Sequence, residues 1–418
     1  MTVKSTNQIG PDFKKTLKAA HQGQSIAQYS LGLMYANGVG VRQDFQQALF
    51  WQRKAAQGGL AVAQVSLANK YAKGLGVEQD FGLAFSWCQK AAAQGLAEAQ
   101  HALGTMYANG QGVAQSYKQA FLWHFKAAKQ GFAAAQTALG EMNARGHGVA
   151  RDDRLAASWW SKAAAQGDAE GQYNLATLFE QGLGIAQDLT QAESWYRKSA
   201  EQGFASAQYA LAGMLASGKV GELDWAEAFP WYRKAADQGD AKALWNLGAL
   251  YASGRGVEQD PDQAFDLCRQ AAELGFPAAQ STLATIYARG QGLARNIEQA
   301  IHWWTRAAEQ GDAEAQYNLG LMHSQGDGVP QDFQQAFSWF LKAAEQGIPS
   351  AQSRVGLMLA TGQAGPEDYV EAHKWFVLAA DNGDDAAQKN REYSASLMTP
   401  AQITEARRRA SEFSKKGS

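Results

Sequence analysis

Residues 24–59 read QSIAQYSLGLMYANGVGVRQDFQQALFWQRKAAQGG, and the same pattern returns every 36 residues. Gly23, Gly59, Gly95, Gly131, Gly167, Gly203, Gly239, Gly275, Gly311, Gly347 and Gly383 keep that spacing with no insertion or deletion. Ten complete units therefore fill residues 24–383, and an unbroken period of this length is the signature of a stacked array. Within the unit, Ala27, Leu31 and Tyr35 fall at i, i+4 and i+8 and predict a helix over about residues 25–37. Gly38 and Gly40 end it by supplying a left-handed backbone that a side chain would resist. Asp44 opens a second helix, its carboxylate accepting from free N–H groups while Gln47 completes a reciprocal capping box. The pairs Ser116 with Gln119, Asp188 with Gln191 and Asp332 with Gln335 repeat the device, and Asp260 is followed by Pro261 at N1 and Gln263 at N3. No segment alternates with period two, so strands are not expected.

The second helix carries a tryptophan at Trp51, Trp87, Trp123, Trp159, Trp195, Trp231, Trp303, Trp339 and Trp375, and only Leu267 breaks the series. Burying an aromatic of ~150–250 Å² at ~25 cal/mol/Å² is worth roughly 4–6 kcal/mol before entropy is subtracted, which makes these indoles the expected packing posts. Small residues such as Ala55 and Ala56 end the same helix and allow close backbone approach. A lone helical hairpin cannot bury its own apolar faces, so the units must stack on one another.

Composition agrees. The 418 residues carry 38 Lys+Arg against 40 Asp+Glu, a net charge of −2 that argues against a nucleic-acid binder. Hydrophobic residues make up 46%, which excludes disorder. No apolar run approaches the ~18 residues of a membrane span, and nothing after Met1 resembles a leader, so a soluble, unprocessed chain without membrane insertion is expected. Cys88 and Cys268 lie far apart and should be free thiols. The flanks 1–23 and 384–418 sum to +5 and the ten units to −7.

The motifs AQYNLG at 315–320, YANGVGV at 35–41 and WYRKAADQG at 231–239 resemble the Sel-one-like repeat family, relatives of the tetratricopeptide repeat, over almost the whole chain. MTPAQITEARRRA at 398–410 resembles the closing helix of bacterial members, with Thr399, Pro400 and Gln402 as its N-cap, N1 and N3. The resemblance implies a right-handed α/α superhelix with terminal capping helices, residues 1–23 and 384–418 forming the flanks. It also implies an adaptor that binds a protein or peptide. Exported cysteine-rich members staple each repeat with a disulfide. This chain lacks those cysteines, so a cytoplasmic location is expected, with a periplasmic or exported form open if a leader was removed.

Positions that recur in every unit pack, and positions that vary between units are free to recognise. By resemblance to tetratricopeptide arrays, the first helix lines the concave groove. There Tyr173, Tyr209 and Trp245 form an aromatic block, with Tyr317 further on, and Asn174, Asn246 and Asn318 offer amides to a peptide backbone. Lys73, Arg145, Arg289 and Arg354 supply cations, opposed mainly by Glu141 and Glu180. The opposing reading has the Tyr and Asn residues simply packing or facing water. Unit six departs from the pattern with Gly218-Lys219-Val220-Gly221 and with Pro230 inside its second helix, where a lost hydrogen bond could kink the array.

No catalytic residue, cofactor or metal is expected. There is no P-loop, HExxH, GxSxG or CxxC, and the Gly-x-Gly pairs follow helices rather than strands. His101 and His124 share a unit but lack zinc-ligand spacing. Asp152-Asp153 and Asp384-Asp385 sit where capping already explains acids. The sequence thus reads as a non-catalytic scaffold of unidentified partner, expected to be a monomer. Its rivals are an envelope-associated or glycan-binding module, in which the aromatic faces stack on sugars, and a regulatory accessory subunit of an enzyme complex.

Overall fold

The computed structural model describes residues 11–292 and 294–416, and among them the chain is entirely helical, with 23 helices. It divides into two compact bodies, the first holding residues up to Met214 with Lys219–Gly221, the second Leu215–Gly218 with Glu222 onward. The passage between them falls in the divergent loop of unit six. Of the N-terminal flank, helix Pro11–His21 is described and residues 1–10 lie outside the described residues.

Each unit is a helix A followed by a helix B, Ser25–Asn37 and Phe45–Gln57 in the first. Gly38 takes φ 68° and donates to Met34 O, as the left-handed stop requires. Asp44 accepts from the N–H groups of Gln46 and Gln47. The returning half of the expected capping box is absent, because the Asp44 N–H already donates to Tyr35 O at 3.0 Å, tying helix B to the last turn of helix A. Ser116, Asp188, Asp260 and Asp332 do the same with Tyr107, Phe179, Tyr251 and His323. A full box forms only where no helix A precedes so closely: Thr399 N–H donates to Gln402 Oε1 at 2.9 Å and Gln402 N–H to Thr399 Oγ1 at 3.4 Å. The residue before the cap helps close the hairpin, Gln43 Nε2 donating to Ala36 O at 2.7 Å, with Gln79, Gln115 and Gln331 repeating the bond.

Successive units are knitted by a buried glutamine. Gln64 Nε2 donates to Ala56 O in the preceding helix B, while Gln64 Oε1 accepts from Gln94 Nε2 at the end of its own unit. Gln100 with Gln130, Gln136 with Gln166, Gln172 with Gln202, Gln280 with Gln310 and Gln316 with Gln346 reproduce it. Both ends of the amide are satisfied, which is the condition for burying it cheaply. Unit seven replaces both members of the pair together, with Leu244 and Leu274.

The packing posts differ from the sequence expectation. Trp51, Trp231, Trp303 and Trp375 are buried as expected, but Trp87, Trp123, Trp159, Trp195 and Trp339 are only half-buried, and Lys90, Lys126, Lys162, Lys198 and Lys342, three residues on, lie 3.8–4.4 Å over their ring centroids. The deeper side chain is the next residue: Tyr196, Phe340 and Phe376 are each 2% exposed or less. A small residue of helix A makes room for it. A Cβ on Gly356 would stand 2.7 Å from Phe376 Cε1, and one on Gly104 the same distance from His124 Cε1. Pro230 is exposed, and its helix runs on through it from Trp225 to Ala236.

Candidate functional site

The variable face of helix A carries the predicted residues, and the residue after the tryptophan forms the floor between neighbouring A helices. In the second body, Arg289, Tyr317 and Asn318 come together in one depression of about 400 Å³ with Thr285, Trp304 and Glu314. Arg289 stands exposed at its edge, and Tyr317 is half-buried with its ring 5.7 Å from Phe340. The Asn318 amide makes no hydrogen bond among the described residues, nor does that of Asn174 in the first body. Asn246 differs, because its Nδ2 donates to Lys242 O in its own helix at 3.0 Å and so has a partner without any ligand.

The aromatic block is less open than a row of stacking platforms. Tyr173 is half-buried, wedged 5.4 Å from Phe204 and 5.7 Å from Tyr196. Tyr209 is half-buried in the same body. Trp245 packs edge-on to Phe276 at 5.8 Å and donates from Nε1 to Thr282 Oγ1 at 3.2 Å. Its other side walls a larger cavity of about 800 Å³ in unit seven. The eight predicted residues thus divide between the two bodies, and Arg289, Tyr317 and Asn318 share a single depression.

Several predicted charges are already paired. Arg145 bonds Glu141 at 3.0 Å, and Lys219 from the unit-six loop reaches Glu180 at 2.8 Å. Glu180 also accepts from the Tyr196 hydroxyl at 2.9 Å, and burial pushes that phenol well above its usual range. The C-terminal arginine run is likewise engaged: Arg408 pairs with Glu405 and Glu412, and Arg409 with Glu405 and Glu371. Hydrogen bonds from both arginines hold the Glu405 carboxyl down at about 2.

Burial raises both free thiols, Cys88 and Cys268, to about 12, which removes the thiolate needed for nucleophilic chemistry. The rings of His101 and His124 lie 4.9 Å apart, each with a buried Nδ1 lacking a partner. Burial, with a smaller contribution from His101, pulls His124 down to about 3. No cluster of three or more His, Cys, Asp or Glu able to hold a metal occurs among the described residues. The glutamine ladder and the floor residues escaped the sequence reading, although both were visible as positions recurring every 36 residues.

Tandem two-helix units, closed by a glycine turn and joined through a buried glutamine, define an α/α solenoid. The chain belongs to the Sel1 repeat family, whose model matches ten times in succession at 25–60, 61–96, 97–132, 133–168, 169–204, 205–240, 241–276, 277–312, 313–348 and 349–384. Among solved structures it is similar to a protective antigen of uropathogenic Escherichia coli with an SLR fold, at 38% identity over 96% of this chain and 86% of that one, with a TM-score of 0.78. It is also similar to a Sel1 repeat protein from Oxalobacter formigenes, at 32% identity over 74% of this chain and 90% of that one, with a TM-score of 0.58. No curated protein matches it. Sel1 repeat proteins generally mediate protein–protein interaction and are typically non-catalytic. No helix among the described residues is long and apolar enough to cross a membrane.

Proposed function

We propose that the chain is a scaffold that holds an extended segment of a protein partner against the variable faces of its A helices. The observation that carries this reading is the depression shared by Arg289, Tyr317 and Asn318. It offers a cation for a carboxylate, an aromatic wall, and an amide with no partner among the described residues that can donate to and accept from a peptide backbone. Tyr173 with Asn174 repeats the aromatic and amide pair within the first body. The wedging of Tyr173 and Trp245 between other aromatics favours groove walls over flat platforms for sugar rings.

Affinity capture from native lysate tests it, comparing wild type with an Arg289→Ala, Tyr317→Ala, Asn318→Ala variant shown by circular dichroism to be folded. Loss of a specific protein with the fold intact is the expected result. Undiminished capture would remove this face from the binding surface.

A further inference from the structure

Unit seven departs from its neighbours at several positions that bear on one place. Where the floor carries Tyr232, Trp304, Phe340 or Phe376 in other units, it carries Cys268, whose Sγ points to Ala279 O at 3.5 Å. The helix A position against that floor is Gly248, whose added Cβ would stand 3.6 Å from the Cys268 backbone N. Unit two, which also has a cysteine floor in Cys88, sets Ala68 at the position of Gly248. Beside this floor lies a cavity of about 800 Å³ lined by Trp245, Ala249, Ala252, Phe265, Cys268 and Ile286. Unit eight, with Trp304 on its floor, has a depression of half that volume.

The rim is acidic. Asp262 and Asp266 are the only charged residues among the described residues that line the cavity. The stretch EQDPDQAFD at 258–266 carries four acids and no base. Asp260 is committed to capping and Asp266 to Arg269 at 2.8 Å, while the Asp262 carboxylate has no ion-pair partner among the described residues. An apolar, aromatic-walled hole with an unneutralised carboxylate at its mouth is complementary to a bulky apolar group carried beside a positive charge.

We infer that the unit-seven cavity is a specificity pocket for a partner segment that presents an aromatic side chain flanked by Lys or Arg. This rests on the reading of the A-helix face as the partner-binding surface and adds which side chains that face selects. The aromatic ring enters between Trp245 and Phe265 and covers Cys268, and the flanking base meets Asp262.

The test uses the full chain and three fluorescein-labelled heptapeptides, blocked at the C-terminus, with Lys-Phe-Arg, Lys-Ser-Arg or Glu-Phe-Glu between glycines, read by fluorescence anisotropy. Saturable binding of the Lys-Phe-Arg peptide is expected, at least tenfold tighter than either control. Ala249→Trp fills the cavity from its exposed side, where Leu33, Leu321 and Leu357 stand in other units, and should weaken binding at least tenfold with an unchanged melting temperature. Asp262→Lys should do the same and reduce the salt dependence. Cys268→Trp, which copies unit eight, is a second filling variant should the first perturb the fold. No saturable binding of Lys-Phe-Arg, or binding indifferent to filling and to Asp262→Lys, overturns the pocket. Partner capture that depends on Arg289, Tyr317 and Asn318 while the peptide ignores Ala249→Trp overturns the pocket alone. Peptide binding abolished by Ala249→Trp while capture survives the triple variant sustains the pocket and overturns the placement of the partner on the Arg289 face.

Discussion

Replacing Gln316 by leucine should destabilise the array, and replacing Gln346 by leucine as well should recover part of the loss. Gln316 is 4% exposed, donates to Ala308 O at 3.1 Å and accepts from Gln346 Nε2 at 2.9 Å. Each such bond is worth about 0.5–1.5 kcal/mol net, so the single variant forfeits roughly 1–3 kcal/mol, reduced somewhat by the apolar burial that leucine gains. The Ala308 carbonyl still accepts from the Gly311 N–H, and Gln346 Nε2 still donates to Gly311 O at 2.9 Å, which keeps the cost at the lower end, about 1–2 kcal/mol. In the double variant no amide is left facing leucine, and a coupling of about 1 kcal/mol in the favourable sense is expected, because the changes touch one hydrogen bond. Unit seven already has this arrangement in Leu244 and Leu274. Because arrays of repeats need not unfold in one step, the assay is native-state hydrogen exchange of the amides in helix Ala313–Gln325, read beside urea denaturation of the four proteins of the cycle. A neutral single variant, or a double variant that costs the sum of the two singles, would refute the claim that the ladder is a cooperative pair.

The remaining expectations concern packing, capping and acid. Phe340→Ala should cost about 3–5 kcal/mol as a truncation at a fully buried site, and Trp339→Ala roughly half of that because its indole is half-buried under Lys342; equal losses in urea titrations would restore the tryptophan as the post. Asp332→Ala removes the acceptor of the Gln335 N–H and should cost about 1 kcal/mol, seen as faster exchange of the first-turn amides of Phe333–Glu345; unchanged exchange would mean that the Asp332 N–H to His323 O bond suffices. His124 is held near 3 in the native state, chiefly by burial, against 6.5 when unfolded. The unfolded chain therefore binds the proton first as pH falls, so stability is full above pH 6.5 and is lost progressively between 6.5 and about 3, by up to roughly 5 kcal/mol. His124→Phe should flatten the melting temperature across that window, and an unaltered profile would assign the acid sensitivity elsewhere.

The period of 36 residues made the helices, their glycine stops and their Asp caps legible, because each depends on local backbone chemistry that repeats with the residues. What misled was size. A recurring tryptophan looks like the heaviest post, yet burial depends on which face of helix B a residue occupies, and one step along a helix turns the side chain by about 100 degrees. Trp339 consequently lies half out under Lys342 while Phe340 goes in. The capping box failed for a related reason: Asp44 and Gln47 have the right spacing, but the N–H that Gln47 would have served is claimed by Tyr35 from the preceding helix, a contact invisible to a local motif. Of the candidate site, the residue types were legible and their grouping was not, since Arg289 joins Tyr317 and Asn318 only through the stacking of one A helix on the next.

Departures from the period are as informative as the period itself. Leu267 was visible as the one missing tryptophan, but its companions Leu244, Leu274 and Cys268 gain meaning only when each is set against the same position in the other units. Leu244 and Leu274 cancel, because removing both halves of a hydrogen-bonded pair leaves nothing unsatisfied. Cys268 is not cancelled in that way, and it lines the cavity beside Trp245. A stacked array tolerates compensated changes anywhere, because each unit touches only its neighbours. An uncompensated loss of volume at one unit, with an unpaired carboxylate at its mouth, leaves buried surface without contacts, and a ligand that fills it regains them. That asymmetry is the reason to look for the partner's anchoring side chain at unit seven before any other.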